Sequence, residues 1–236
     1  MVISTISAMY IDLHVHTVRG SGDSSLSPQE LLDEATRIGL TGVCLTEHNK
    51  TWEHSDLSWF SERNSSLLIV RAMEVETDMG HVTVFGLDGY VPGIWRAYEL
   101  RKVADKQGAF LVSAHPFRGL FTPQVKTNNL LFRDWSSLPK TLQEAAEHPI
   151  FSLVDAIEVL NGGNTDRENA FAIAASRYLG KPAVGGSDAH SHNGLGACVT
   201  AFPDLINSEK EFLELLRSGN FYPVQGLRQG NPQPMS

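Results

Sequence analysis

Cysteine is nearly absent. Cys44 and Cys198 are the only two in 236 residues, each inside a short apolar run, so a disulfide framework is excluded and a reducing compartment suits the chain. No apolar run approaches the roughly 20 residues needed to cross a bilayer. The first ten residues also lack the basic start and long apolar stretch of a secretory signal, so a soluble, cytoplasmic chain with no membrane partner is expected. Basic residues are in deficit, with 19 Lys and Arg against 27 Asp and Glu and a net charge of −8. Broad nucleic-acid binding draws on clustered Lys and Arg to displace counterions, so no extended nucleic-acid surface is expected. A small anionic ligand entering a locally positive pocket stays compatible with that balance. Internal repeats and low-complexity segments are missing too, and an apolar fraction of 42% with 19% charged residues argues against extensive disorder.

What is present reads as alternating strands and helices. A strand at 9–13 leads into His14-Val15-His16-Thr17 and a Gly/Ser-rich loop through Ser25. A helix follows, with Ser27 as N-cap, Pro28 at the first helical position, Glu30 completing a capping box, Leu31, Ala35 and Ile38 on one face and Gly39 as its stop. Further strands are predicted at 42–46, 67–75, 81–87, 109–113, 156–160, 182–185 and 197–201. Helices are predicted at about 52–63, 94–107, 142–147, 166–179 and 209–217. The irregular stretch 117–135 is the candidate lid or insertion, and the tail 225–236 is expected to be flexible. Seven or so strand-and-helix units in a chain of this length favour one α/β domain with a largely parallel, closed or nearly closed barrel, whose chemistry would sit at the C-terminal strand ends.

Metal-binding side chains recur where those strands stop or start: His14 and His16, Glu47 and His48, Glu74, His81, His115, then Asp188 and His190. Residues two apart on an extended segment point to the same side, so His14 and His16 can chelate one ion, and Asp188 and His190 share that spacing. Imidazole mixed with carboxylate suits Zn²⁺, Mn²⁺ or Fe²⁺ better than Ca²⁺. A single His-x-His is a weak signal, because paired structural histidines are common. Six of nine histidines at strand ends are not explained by structure alone, since burying so many titratable groups unpaired would cost stability.

These segments resemble the polymerase and histidinol phosphatase (PHP) superfamily of phosphoesterases. The matching stretches are Asp12-Leu-His14-Val-His16-Thr17, Leu45-Thr46-Glu47-His48-Asn49, Met73-Glu74-Val75-Glu76, Gly80-His81-Val82, Ala114-His115-Pro116 and Gly186-Ser187-Asp188-Ala189-His190. They run in order over about positions 10 to 200, and the chain looks most similar to the stand-alone members. The resemblance implies a single PHP domain over 1–236, with a distorted seven-stranded TIM-like barrel at about 9–224 and two to three divalent metal ions. It implies that His14, His16, Glu74 and Asp188 hold the first ion, and Asp23, His48 and His190 the second. Glu74 would bridge to a third ion held by His81 and His115. One departure stands out, for Glu47 occupies the place where the family usually has Asp. Glu47 would either orient His48 or ligate directly.

The activity so implied is hydrolysis of a small phosphomonoester, nucleotide or short oligonucleotide through a metal-bridged hydroxide, with Glu74, Asp188 and His190 at the catalytic centre. Arg118 and Arg19 can fork onto a phosphate or face solvent, the solvent-facing alternative being stronger for Arg19; Asn161 can face the pocket or only close a turn; Lys50 can approach the substrate. His192 is a weaker candidate for a leaving-group acid. Two other readings stay open: a metal-binding accessory domain without turnover, and a metal-dependent amide hydrolase. The second usually carries a bridging carbamylated lysine, where this chain has Glu74.

Overall fold

The computed structural model describes residues 8–122 and 129–235. Chain order is β1 (Met9–Val15), α1 (Pro28–Ile38), β2 (Gly42–His48), α2 (His54–Ser61), β3 (Leu68–Thr77), β4 (Gly80–Phe85), α3 (Ala97–Gln107) and β5 (Phe110–Ser113). Then follow α4 (Leu142–Ala146), α5 (Ile150–Leu153), β6 (Ala156–Asn161), α6 (Asp166–Leu179), β7 (Ala183–Gly186), β8 (Cys198–Phe202), α7 (Glu209–Ser218), β9 (Tyr222–Gln225) and β10 (Gln233–Pro234), with a 3-10 turn between the last two.

Local chemistry explains the helix ends. The Ser27 side chain accepts from Glu30 N while Glu30 Oε2 accepts from Ser27 N at 2.9 Å, which is the predicted capping box. Gly39 closes the helix in the left-handed region at φ 77°. Thr165 and Glu168 repeat the reciprocal cap on α6, whose bounds coincide with the predicted ones. Each such cap contributes about 1 kcal/mol.

The strands form one curled sheet in the order β10-β9-β8-β1-β2-β3-β4-β5-β6-β7. Among the described residues it has ten strands, against eight read from the sequence and seven in the barrel that the resemblance implies, and it is mixed: β1-β2-β3 and β5-β6-β7 pair in parallel, whereas β4 runs antiparallel to both its neighbours. β8 and β9 add antiparallel strands beyond β1. The tail, expected to be flexible, contributes Gln233 and Pro234 paired with β9. Both β9 and β10 are too short to announce themselves as periodic patterns.

Curling brings the end of β7 back to β1. Asp188 N donates to His14 O at 2.8 Å, and His16 N donates to Ala189 O at 3.0 Å. Gly186 makes this approach possible, because a Cβ there would lie 2.5 Å from His14 Cβ. Asp12, fully buried, fastens the seam by accepting from Ser187 N at 2.8 Å and Gly196 N at 2.9 Å. Ile11, Cys44, Val70, Val112, Ala156 and Val184 form one apolar cluster drawn from six strands, as a sheet wrapped round its own core requires; Phe202 and Phe212 cap it. Trp52 and Phe60 are buried in a second apolar cluster. Cys44 and Cys198 are buried thiols. Of the candidate lid, 123–128 lie outside the described residues; the rest of 117–135 forms turns in which Leu131 and Phe132 are buried.

Candidate metal centre

The rim of the curled sheet collects the histidines. β1 delivers His14 and His16, β2 ends in His48, β3 carries Glu74, and the turns after β5 and β7 carry His115 and Asp188 with His190. His81 reaches the same rim from the opposite end of its strand, because β4 is antiparallel and pairs His81 with Glu76. Among the described residues only three non-glycine residues have positive φ: Asn49 (51°), His115 (29°) and Asp188 (54°). All three sit directly at this rim, and a strained backbone held by its surroundings is a mark of sites whose geometry is imposed.

Glu74 is the hub. Its Oε1 lies 2.9 Å from His115 Nε2, 3.0 Å from His81 Nδ1 and 3.4 Å from His14 Nε2; its Oε2 lies 3.1 Å from His48 Nδ1 and 3.5 Å from His16 Nε2. Asp188 Oδ1 stands 3.4 Å from His14 Nε2 and 3.3 Å from His16 Nε2. Asp23, largely exposed, places Oδ2 3.4 Å from His48 Nε2 and 3.2 Å from His190 Nε2. The structure thus brings together all nine residues proposed as ligands. Ligand atoms converge in four overlapping sets: His14, His16 and Glu74; His14, His115 and Asp188; Glu74, His81 and His115; and His16, His48 and His190. His16 therefore belongs to the set of the outer pair as well as to the set with His14.

Burial alone would raise the Glu74 carboxyl, but the charge of His14 and hydrogen bonds from His115, His14 and His48 overcome it and hold the group well below the usual carboxylate range. Asp188 is held low in the same way, against its burial, by His14, His16 and His115. The hydrogen bond to Glu74 pushes His48 up to about 9.

Two ring orientations are fixed by groups outside the cluster. His14 Nδ1 lies 3.0 Å from Glu158 Oε1, and a carboxylate only accepts, so His14 carries its proton on Nδ1. His16 Nδ1 faces Ser21 Oγ at 3.0 Å. With both Nδ1 atoms engaged, the two Nε2 atoms point at one another 3.1 Å apart. At that distance the two nitrogens either share one proton, as a charged His14 would, or turn their lone pairs to a common cation. Imidazole nitrogens and carboxylates converging on shared points are the donor set that divalent transition ions require, and the residues fit them.

Glu158 was not predicted. Buried in β6, it also accepts from His115 N at 2.7 Å and Asn161 Nδ2 at 2.9 Å. One signal was available: it is the lone charge within the apolar run Ala156–Leu160 of a strand covered on both faces.

The other candidates divide. Arg118 Nη2 donates to Asp188 Oδ2 at 2.6 Å and to Asn161 Oδ1 at 2.5 Å, and its Nε donates to Asn164 Oδ1 at 3.0 Å. Arg118 also lines a cavity of about 90 Å³ with Met79, His81, Ser113, His115 and Leu131. Asn161 is buried and spent on Glu158 and Arg118, so it supports the site instead of presenting itself to a ligand. Arg19 stacks over Trp52 and pairs with Asp56, and Lys50 reaches the Arg19 carbonyl; both line a cleft with Trp52, Glu53 and Asp56 that contains none of the clustered histidines. His192 lines a separate cleft with Glu30, Asp33, Glu34 and Arg37, away from the cluster. Glu47, expected to orient His48 or ligate directly, does neither: its carboxylate turns to Thr17, Ser21 and Trp52.

A curled α/β sheet with a rim of histidines and buried carboxylates defines a fold that carries a candidate metal centre. A family model described as PHP-associated matches residues 166–221, which include Asp188 and His190. Among solved structures the chain is similar to PsfC from Pseudomonas syringae PB-5123, with TM-score 0.59 and 21% identity over 91% of this chain and 97% of that one. A protein from Bifidobacterium adolescentis ATCC 15703, described as a candidate metal-dependent phosphoesterase, gives TM-score 0.56 at 16% identity over 76% and 87%. An Endonuclease Q bound to a 27-mer duplex with an abasic lesion gives 0.54 at 16% identity over 90% of this chain and 57% of that one. An error-prone DNA polymerase of Nocardia farcinica (strain IFM 10152) is 30% identical over 79 residues, 34% of this chain but 6% of the polymerase. The family model thus matches the C-terminal part of the chain, and the fold as a whole is one shared with proteins described as a phosphoesterase and an endonuclease.

Proposed function

We propose that this protein is a metal-dependent phosphoesterase acting on a small phosphomonoester, a nucleotide or a short oligonucleotide. The observation that carries this reading is the pair of imidazole nitrogens, His14 Nε2 and His16 Nε2, facing each other 3.1 Å apart between the carboxylates of Glu74 and Asp188. His14, His16, Glu74 and Asp188 would hold one ion; His48, His190 and Asp23 a second; His81 and His115, with Glu74, a third. When bound, such ions acidify water and neutralise phosphate oxygens.

The chain's own side chains supply the rest. Glu158 keeps the proton of His14 on Nδ1 and so keeps Nε2 available as a ligand. Arg118, held by Asn161 and Asn164, lines the cavity beside His81 and His115 and would present a guanidinium to a phosphate entering there. A confined cavity and a net charge of −8 support a small substrate over long nucleic acid. The bridging place among the histidines is taken by Glu74, where a metal-dependent amide hydrolase usually carries a carbamylated lysine, and this favours phosphate esters over amides. The test is a screen of the metal-loaded protein against aryl phosphates, amino-alcohol phosphates, mono- and bisphosphate nucleotides, short oligonucleotides and a dihydropyrimidine amide. Phosphate release from at least one ester is expected; turnover of the amide alone would overturn the proposal.

A further inference from the structure

Glu47 is fully buried, yet its carboxylate hydrogen-bonds to none of the proposed ligands. Four donors saturate it. Oε1 accepts from Trp52 Nε1 at 2.8 Å and from the Thr17 hydroxyl; Oε2 accepts from Thr17 N at 3.1 Å and from Ser21 Oγ at 2.6 Å. Ser21 Oγ has a single proton and two lone pairs. Because the carboxylate only accepts, that proton is committed to Glu47. The lone pairs then receive His48 N at 3.4 Å and His16 Nδ1 at 3.0 Å. A ring nitrogen that faces an accepting oxygen must carry the hydrogen, so Nδ1 of His16 is protonated and Nε2 keeps its lone pair.

We infer that Glu47, acting through Ser21, is a positioning residue for His16: it fixes the imidazole in the tautomer that aims Nε2 at the metal centre. This explains why a glutamate is accommodated at this point of the second motif. The carboxylate must span from β2 to the turn 17–21, and the turn makes room for it at Gly20, where a Cβ would lie 2.3 Å from Glu47 Cγ. His14 and His16 are thereby set by two separate carboxylates, Glu158 directly and Glu47 through a hydroxyl. The inference rests on the metal-centre reading above.

The test compares zinc affinity, measured by competition with a chromogenic chelator, in the wild-type protein, Ser21→Ala and Thr17→Val, together with long-range ¹⁵N spectra of the histidines in each zinc-loaded protein. Ser21→Ala removes the relay, whereas Thr17→Val removes a donor to Glu47 that never touches His16. Ser21→Ala is expected to weaken zinc binding about 10- to 100-fold, the usual effect of losing a ligand's outer hydrogen bond. Thr17→Val is expected to lower the melting temperature but keep zinc affinity within about twofold. Zinc-loaded wild type should show His16 with its proton on Nδ1. Wild-type affinity in Ser21→Ala, an equal loss in Thr17→Val, or a His16 proton on Nε2 would overturn the relay. A wild-type protein that binds no zinc or other divalent ion would instead remove the metal centre on which it rests.

Discussion

Replacing Glu158 by Gln should separate metal binding from folding. Three donors converge on this carboxylate: His14 Nδ1 on Oε1, and His115 N and Asn161 Nδ2 on Oε2. A glutamine offers one oxygen and one NH₂. If the oxygen stays with His115 and Asn161, the amide N–H faces His14 Nδ1. The ring can relieve that clash only by accepting there and moving its proton to Nε2, the atom 3.4 Å from both Glu74 and Asp188. A proton at that position opposes a cation. The other amide orientation leaves His115 N or Asn161 facing a donor, at a folding cost of about 1–3 kcal/mol. The expected loss in metal affinity is about 10- to 100-fold, or roughly 1.4–2.8 kcal/mol at 1.4 kcal/mol per decade. Isothermal titration with Zn²⁺ or Mn²⁺ reads the affinity, and circular dichroism of the same samples reads the fold. A folded Glu158→Gln protein binding metal as tightly as wild type would refute the tautomer argument.

Other consequences can be checked independently. His148 is buried between Trp135 and Phe132, and its Nδ1 accepts from Ile150 N at 3.3 Å, so burial lowers it to about 4 from 6.5. The folded chain then binds fewer protons here than the unfolded one between those values; the stability is fully present above about pH 6.5 and is lost as pH falls toward 4. Urea unfolding should show the gap between wild type and His148→Gln narrowing by up to about 2 kcal/mol from pH 7.5 to 5, and a constant gap would contradict the assignment. Arg118→Ala should raise the KM for a phosphate ester about tenfold or more, since hydrogen bonds to charged groups contribute roughly 1.5–3 kcal/mol. Arg118→Lys should restore little, for an ammonium lacks the fork; an unchanged KM in both variants would remove Arg118 from substrate binding.

Much of this was legible in the sequence because it depends on local chemistry. The capping boxes of α1 and α6 are written in residues three apart, and the His14/His16 spacing follows from strand geometry. Contacts between distant segments left weaker traces. Nothing near Glu47 in sequence announces that its carboxylate serves His16 through Ser21, because that bond closes across 26 residues and depends on the space at Gly20. Asn161 looked like a turn residue able to face a ligand; only the approach of β5 to β6 and β7 shows it spent between Glu158 and Arg118. The strand count was underestimated because β9 and β10, of four and two residues, are stabilised by their partners and not by a pattern of their own.

The central claim is that this rim holds metal ions and that those ions support phosphate-ester hydrolysis. The most direct test measures, on one purified sample, metal per chain by elemental analysis and phosphate release from an aryl phosphate, for wild type, His14→Ala and Asp188→Ala. About two or more equivalents of divalent metal are expected in the wild type, with hydrolysis abolished in both variants as metal is lost. A metal-free wild-type protein that still hydrolyses the ester, or full activity in both variants, would contradict the account.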